Sequence, residues 1–430
     1  MPLEPVHDRR PGYGEDMHVG DLRTPIPDPL ENSGPSRSGS PVVIVGGGFG
    51  GLYTALALAA RPNHPPLLLI EPNDRFLFLP LLYELLSGEL RAWEIAPRYD
   101  TLLAGPGVGW LQDRVVSVQT DDHTIRTAGG ARLTYAALVL ATGSSENISV
   151  VPGAAQHALT FRSLADVARL QQVIQELSRR ESPLQRLAIV GAGPTGVELA
   201  CKVADMLQGA CVVELIERGE RVLPQGRAFN REQALSALRK RDVRLRLRTL
   251  VEAVAADRLK VTLPGGAAGL PPVSEEIPVR AVVWTAGLRF QPPLLTPSAP
   301  VEPSGRLSCR PNLLLQGHRD VFVVGDLAAL QGPQTDPASE PPASAQVAIQ
   351  QASVAAQNVM RSLAGQPLEP FVWNDLGEML SLGKGEASLT GSGLTLAGAP
   401  AFALRRLAYL TRLPGLPQQL RGAAGWLADR

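Results

Sequence analysis

The sequence predicts an α/β protein made of two parallel-sheet units and a separate C-terminal module. Three observations carry this. A β-branched run leads into a glycine-rich turn at Gly46, and the same pattern returns at Gly191. From Pro41 onward, short apolar runs alternate with helical patterns. After Ala399 the chain becomes basic and apolar with helical spacing.

Length and composition narrow the function classes. The 430 residues suggest two to three domains. Lys+Arg and Asp+Glu both number 41, so no basic excess marks a nucleic-acid binder. A 44% hydrophobic content is enough for real cores. The three cysteines, Cys201, Cys211 and Cys309, form no C-x-x-C, so neither a redox dithiol nor a zinc or other metal site is expected. No run of about 18 apolar residues predicts a spanning helix. Residues 1–40, rich in Pro, Gly and charge, read as a disordered arm that resembles neither a signal nor a transit peptide. Leu263–Pro278 and Gln331–Pro342 read as irregular linkers.

The first unit opens with the strand Val42–Val45 and runs into G-x-G-x-x-G at Gly46, Gly48 and Gly51. The first glycine permits the tight turn, the second lets a pyrophosphate approach, and the third lets helix pack on strand. A helix pattern spans Leu52 to Ala60, and its N-terminus offers free N–H groups to phosphates. The next strand, Leu67–Ile70, ends in Glu71, where this fold puts a carboxylate on ribose hydroxyls. The second unit repeats the plan. Leu187–Val190 leads into Gly191, Gly193 and Gly196, a helix follows from Val197 to Leu207, and the strand Cys211–Ile216 ends in Glu217. One such motif is weak evidence. Two, each with strand, helix and acid on schedule, predict two Rossmann-like dinucleotide sites. Glu217 favours NADH over NADPH, because a carboxylate repels a 2′-phosphate; the adjacent Arg218 works against that preference.

Three later segments complete a family pattern: Leu138–Gly143, ending Ala-Thr-Gly; Val282–Gly287, ending Thr-Ala-Gly; and Val321–Asp326. With the two fingerprints they resemble the glutathione-reductase-like flavoproteins, in which an NAD unit is inserted into an FAD unit. The resemblance implies FAD on Gly46, Gly48, Gly51, Glu71, Thr142, Gly143 and Asp326, and NAD(P)H on Gly191, Gly193, Gly196, Glu217 and Gly287. Asp326 alone would read equally as a helix N-cap. The implied layout is an FAD unit at 41–160 and 290–365, an NAD(P)H unit at 161–289 and a helical membrane-associating module at 366–430.

Within that superfamily the chain resembles the type II NAD(P)H:quinone oxidoreductases, single-subunit enzymes that pump no protons. Gly191–Glu198, Ala345–Ala352 with its A-Q-x-A-x-Q pattern, and Leu382–Gly385 carry the likeness. Phe78–Leu85 and Gly88–Leu90 resemble a cyanobacterial and plastid branch that acts on a naphthoquinone such as demethylphylloquinone. With no dithiol beside either fingerprint, electrons leave the flavin directly for an acceptor. Gln346 and Gln350, four apart on one helical face, can donate to a quinone carbonyl. Glu198 lies in the first turn of the second helix; it serves either the helix dipole or the chemistry, by contact near the nicotinamide or by proton delivery. Lys384 is either a charge near flavin or quinone or a loop lysine in water.

The tail reads as a basic amphipathic helix over Ala399–Leu413, with Arg405, Arg406 and Arg412 alongside its leucines, and a second piece from Leu416 to Arg430. The last 32 residues carry a net charge of +4 and the rest of the chain −4. This implies a peripheral enzyme on the cytoplasmic side of an anionic membrane, although the same surface also suits a homodimer. Two other classes share the fingerprints: a soluble ferredoxin or rubredoxin reductase or NADH oxidase, and a non-enzymatic flavin-based redox sensor.

Overall fold

The run Val42–Val45 has no polar side chain to turn toward water, so it forms a central strand buried on both faces. In the computed structural model, which describes residues 39–179, 185–264, 271–331 and 341–428, it lies in a sheet of five parallel strands. Their order is Val321–Val323, Ala137–Leu140, Val42–Val45, Leu67–Ile70, Gly109–Leu111. The second sheet repeats that plan: Ala158–Leu159, Ala281–Trp284, Arg186–Val190, Val212–Ile216, Arg244–Arg246. In each, the glycine-turn strand is central and the acid-bearing strand adjoins it. Each sheet takes its outermost strand from beyond its own segment of chain. Ala158–Leu159 thus pairs in the second sheet, although the sequence places the end of the first unit at 160; two residues are too few to show a pattern.

Helix α1 (Phe49–Ala59) and helix α2 (Pro194–Leu207) start three residues before their expected positions, with Gly48 and Gly193 as N-caps. The helix ends therefore abut the glycine turns. Along α1 packs helix α3 (Ala345–Leu363), whose Ala352, Ala355 and Ala356 are fully buried and let the two backbones approach. The expected linker Leu263–Pro278 contains a strand, Val273–Pro278, paired antiparallel with Arg258–Leu263. Its inward Ile277 is buried between outward Glu276 and Pro278, and the charged partners hide the alternation. The arm at residues 1–38 and linker residues 265–270 and 332–340 lie outside the described residues.

The C-terminal module is a sheet plus helices, where the sequence predicts helices alone. Glu378–Ser381, Ala387–Gly391 and Leu394–Gly398 form an antiparallel sheet. Helices α4 (Ala399–Leu410) and α5 (Leu416–Ala428) follow. Among the described residues, no helix is long and apolar enough to cross a membrane.

Candidate active site

The two glycine turns are built alike. Gly46 has φ 97°, and a Cβ there would lie 2.5 Å from the Ala141 carbonyl oxygen; Gly191 has φ 105°. A Cβ on Gly51 would lie 1.8 Å from Gly46 O, and one on Gly196 would lie 1.8 Å from Gly191 O. Gly48 and Gly193 differ: no atom lies within 4 Å of a Cβ at either. Neither helix has a side-chain cap there, so first-turn N–H groups open onto a clear space. That is the shape and polarity a pyrophosphate requires.

Both acids sit where the sequence puts them. Glu71 Oε2 accepts from the Gly47 N–H at 2.7 Å, and its other oxygen accepts from the Asn73 N–H at 3.0 Å. Glu217 Oε2 accepts from the Ala192 N–H at 2.8 Å, and its Oε1 from the Gly219 N–H at 2.7 Å. Each carboxylate is locked beside its turn with lone pairs left for ribose hydroxyls. Leu288–Arg289, just past Gly287 (φ 76°), pairs antiparallel with Ser145–Glu146, just past Thr142 and Gly143 (φ 65°). This pairing brings the two closing turns together. Ser144 Oγ donates to Asp326 Oδ2 at 2.6 Å, and Arg162 Nη2 donates to Ser144 Oγ at 3.0 Å. The Gly325 N–H donates to Gln351 Oε1 at 2.7 Å. Arg162 carries no signal in the sequence, and Gln351 only its place in the glutamine motif.

Gln346 and Gln350 share a face of α3, and that face is engaged. Gln350 Nε2 donates to Asn374 O at 2.9 Å, while its Oε1 accepts from the Asn374 N–H at 3.0 Å. Gln346 meets Gly377 O and the Leu376 N–H, both at 3.3 Å. A carboxamide matches a peptide group donor for acceptor, so the pair staples residues 374–377 to α3. Each amide thus commits one of its two N–H donors to backbone, and the second has no partner in that contact.

Glu198 is buried in a charged cluster. Its Oε1 accepts from the Ser381 N–H at 2.7 Å and lies 3.8 Å from Arg405 Nη2. Arg405 Nη1 pairs with the buried carboxylate of Glu84, and its Nη2 donates to Pro80 O at 2.6 Å. Burial pushes the Glu198 carboxyl up to about 7, against the opposing pull of Arg405. Arg405 is a correction: expected on a basic face beside the leucines, it is fully buried. With Ala401 and Tyr409 it forms an i, i+4, i+8 row facing inward. One turn beyond Glu198, the buried Lys202 Nζ meets Glu89 at 2.5 Å and Gly383 O at 3.0 Å. Lys384 itself is exposed, and its backbone N–H donates to Asp205 at 2.7 Å. The interior lysine is therefore Lys202, which belongs to no motif in the sequence.

The model of the family described as pyridine nucleotide-disulphide oxidoreductase matches residues 40–352. The demethylphylloquinone reductase NdbB of Synechocystis sp. is 37% identical over 396 residues, 90% of this chain and 95% of that protein. The alternative NAD(P)H-ubiquinone oxidoreductase C1, chloroplastic/mitochondrial, of Arabidopsis thaliana is 35% identical, covering 93% of this chain and 83% of its own. The chain belongs to the pyridine nucleotide-disulphide oxidoreductase family, on its type II NAD(P)H:quinone oxidoreductase branch. In fold it is similar to the Plasmodium falciparum NDH2 solved with NADH, with a TM-score of 0.78, 16% identity and 90% and 98% of the two chains covered.

The disulfide in the family's description has no counterpart among the described residues. All three cysteines are free and buried. Burial pushes Cys201 and Cys309 up to about 12 and Cys211 up to about 11, so none is poised as a thiolate.

Proposed function

We propose that this oxidoreductase holds FAD on its first unit, takes a hydride from NAD(P)H on its second, and passes two electrons to a membrane quinone without pumping protons. The observation that carries this is the pair of matched cradles, joined where their closing turns pair and lacking a thiol relay. Bound flavin supplies the hydride acceptance and the electron exit. The chain's residues bind and orient. The two turns seat pyrophosphates, Glu71 and Glu217 hold riboses, and Asp326, steadied by Ser144 and Arg162, faces the flavin's polyol chain. Glu217 favours NADH. Glu198, with a carboxyl near neutrality, holds a proton for the reduced quinone. Gln346 and Gln350 hold residues 374–377 with one amide N–H each and offer the other to a quinone carbonyl. The relative named demethylphylloquinone reductase supports a naphthoquinone acceptor.

We place the FAD unit at residues 41–157 with 290–365, the NAD(P)H unit at 158–289 and the membrane module at 366–430. Leu404, Leu407, Leu416 and Leu420 are exposed on α4 and α5. With the tail's net +4 charge they suit an anionic bilayer surface on the cytoplasmic side. Because Arg405 is an interior residue, deleting the tail would also damage the body; Leu407→Glu with Leu420→Glu tests the surface alone and is expected to abolish binding to anionic vesicles. If instead it splits a dimer and leaves vesicle binding intact, the face is a subunit interface.

The deciding experiment is steady-state turnover of NADH and NADPH against a panel of benzo- and naphthoquinones. Flavin that NADH bleaches and no quinone reoxidises would overturn the proposal. Reoxidation by an iron–sulfur protein alone would point to a soluble reductase.

A further inference from the structure

The exposed face of α4 suits a membrane, but its buried face carries chemistry that membrane contact does not require. Three parts of the chain meet at Arg405: Glu84 from the short helix Leu82–Leu86, Glu198 from α2, and α4 itself. Two carboxyls share one guanidinium, so the cluster is neutral only while one carboxyl holds a proton. Glu84 Oε2 and Arg405 Nε are buried with no hydrogen-bond partner, so the cluster is not saturated. Of the two acids, Glu84 holds the direct ion pair. Glu198, at 3.8 Å, is the one left to gain and lose the proton.

We propose that Arg405 is a positioning residue for quinone reduction: from the helix that carries the exposed leucines, it supplies the positive charge against which Glu198 releases and regains its proton. The inference rests on the quinone reading above. Over a turnover, NADH, one proton and the quinone give NAD⁺ and the quinol. Glu198 yields one proton to a quinol oxygen, becomes a carboxylate beside Arg405, and recovers a proton from water. Seating of α4 is thereby tied to proton delivery, since lifting the helix removes the charge. Other groups face Glu198 from each neighbouring element. Tyr83 faces it from the helix of Glu84, and Tyr409 lies on α4 with its ring 4.8 Å from the Arg405 guanidinium. Ser381 N–H comes from the C-terminal sheet. Cys201 and the Lys202–Glu89 pair lie on or against α2, with Arg241, Asp205 and Glu386 farther along.

The test uses full-length, flavin-loaded enzyme and two readouts. One is the infrared carboxylic C=O band that disappears in Glu198→Gln, titrated across neutral pH. The other is the pH profile for reoxidation of NADH-reduced enzyme by menadione. Arg405→Met is expected to move the midpoint up by about one unit or more. Glu84→Gln removes a like charge, frees Arg405 for Glu198, and moves the midpoint down. Arg405→Lys keeps the charge and restores a near-native midpoint. A purely structural role would slow every variant without opposite shifts. Midpoints that stay put, or move the same way, in variants that NADH still reduces overturn the proposal. Should Arg405→Met fail to fold, an unmoved Glu84→Gln midpoint does so alone. Opposite shifts of the infrared band without reoxidation by any quinone would overturn the functional reading and leave the Arg405–Glu198 coupling standing.

Discussion

The two nucleotide units share a strand order, a glycine turn and an acid, yet their first helices bury opposite chemistries. In α1 and its C-cap, Tyr53, Ala57 and Ala60 occupy the positions that Glu198, Lys202 and Asp205 occupy in α2, counted from the first glycine of each turn. Helix α1 is therefore uncharged where it meets its neighbours, and small residues of α3 close against it. Helix α2 carries a charged row at i, i+4 and i+7. Glu198 meets Ser381 and Arg405, Lys202 meets Glu89 and Gly383, and Asp205 meets Arg241 and the Lys384 N–H. One frame thus serves two ends. On the proposed assignment the first unit clamps the cofactor, and the second ties the donor site to the C-terminal module and to the 80–90 segment.

The sharpest way to break this comparison is at the third glycine of each turn. Gly51→Ala and Gly196→Ala place a methyl 1.8 Å from the equivalent carbonyl oxygen, so both must displace a helix. Gly51→Ala is expected to purify without flavin absorbance. Gly196→Ala is expected to keep its flavin and lose NADH, with KM raised tenfold or more, at least about 1.4 kcal/mol. The reverse outcome would exchange the two units' ligands.

A second prediction probes the charged row. The carboxyl of Glu198 is raised from 4.5 to about 7 on folding, mainly by burial. A raised acid contributes stability that is complete below pH 4.5 and lost as pH rises through 7. The loss is about 3 kcal/mol. Glu198→Gln keeps the volume and the neutral form, so urea midpoints of wild type and variant should diverge as pH rises, with the variant gaining. Parallel curves would mean that Glu198 is ionised throughout and that Arg405 outweighs its burial.

The strands and turns were legible because their causes are local. Val42–Val45 is wholly apolar, a glycine follows where φ must be positive, and an acid ends the next strand. The charged row was not legible, because its meaning depends on distant partners. Glu198 is marked in the sequence only by its place in the first turn of its helix, and Lys202 and Asp205 by nothing; Glu84, Glu89 and residues of the 378–405 stretch, folded over them, make the row. The tail shows the same limit. Its spacing marks a face holding Arg405, but Ala401 and Tyr409 on that face turn it inward. For the glutamines, spacing puts Gln346 and Gln350 on one face, and residues 374–377 decide what that face does.

Donor selectivity is a milder contrast between the units. Glu217→Gln removes the charge that repels a 2′-phosphate beside Arg218, while its amide oxygen can still accept from the Ala192 N–H. The kcat/KM ratio of NADH to NADPH is expected to fall about tenfold, or about 1.4 kcal/mol. Glu71→Gln, the matched change in the first unit, should leave that ratio alone and weaken flavin retention. An unchanged ratio in Glu217→Gln would remove the ribose-acid argument.

The smallest effect lies at Tyr53, the counterpart of Glu198. Its hydroxyl donates to the Arg412 carbonyl oxygen two residues past the end of α4, so α1 also touches the C-terminal module, through a neutral hydrogen bond. Burial pushes this phenol further above its ordinary range, so it stays protonated wherever the enzyme is folded. Tyr53→Phe should cost about 1 kcal/mol, equally at every pH, and leave the pH profile of quinone reoxidation unmoved. Glu198→Gln changes that profile at the matching position of α2. If Tyr53→Phe shifted the profile as well, the contact of α4 with α1 would share the proton chemistry, and the division between a clamping helix and a wired one would fail.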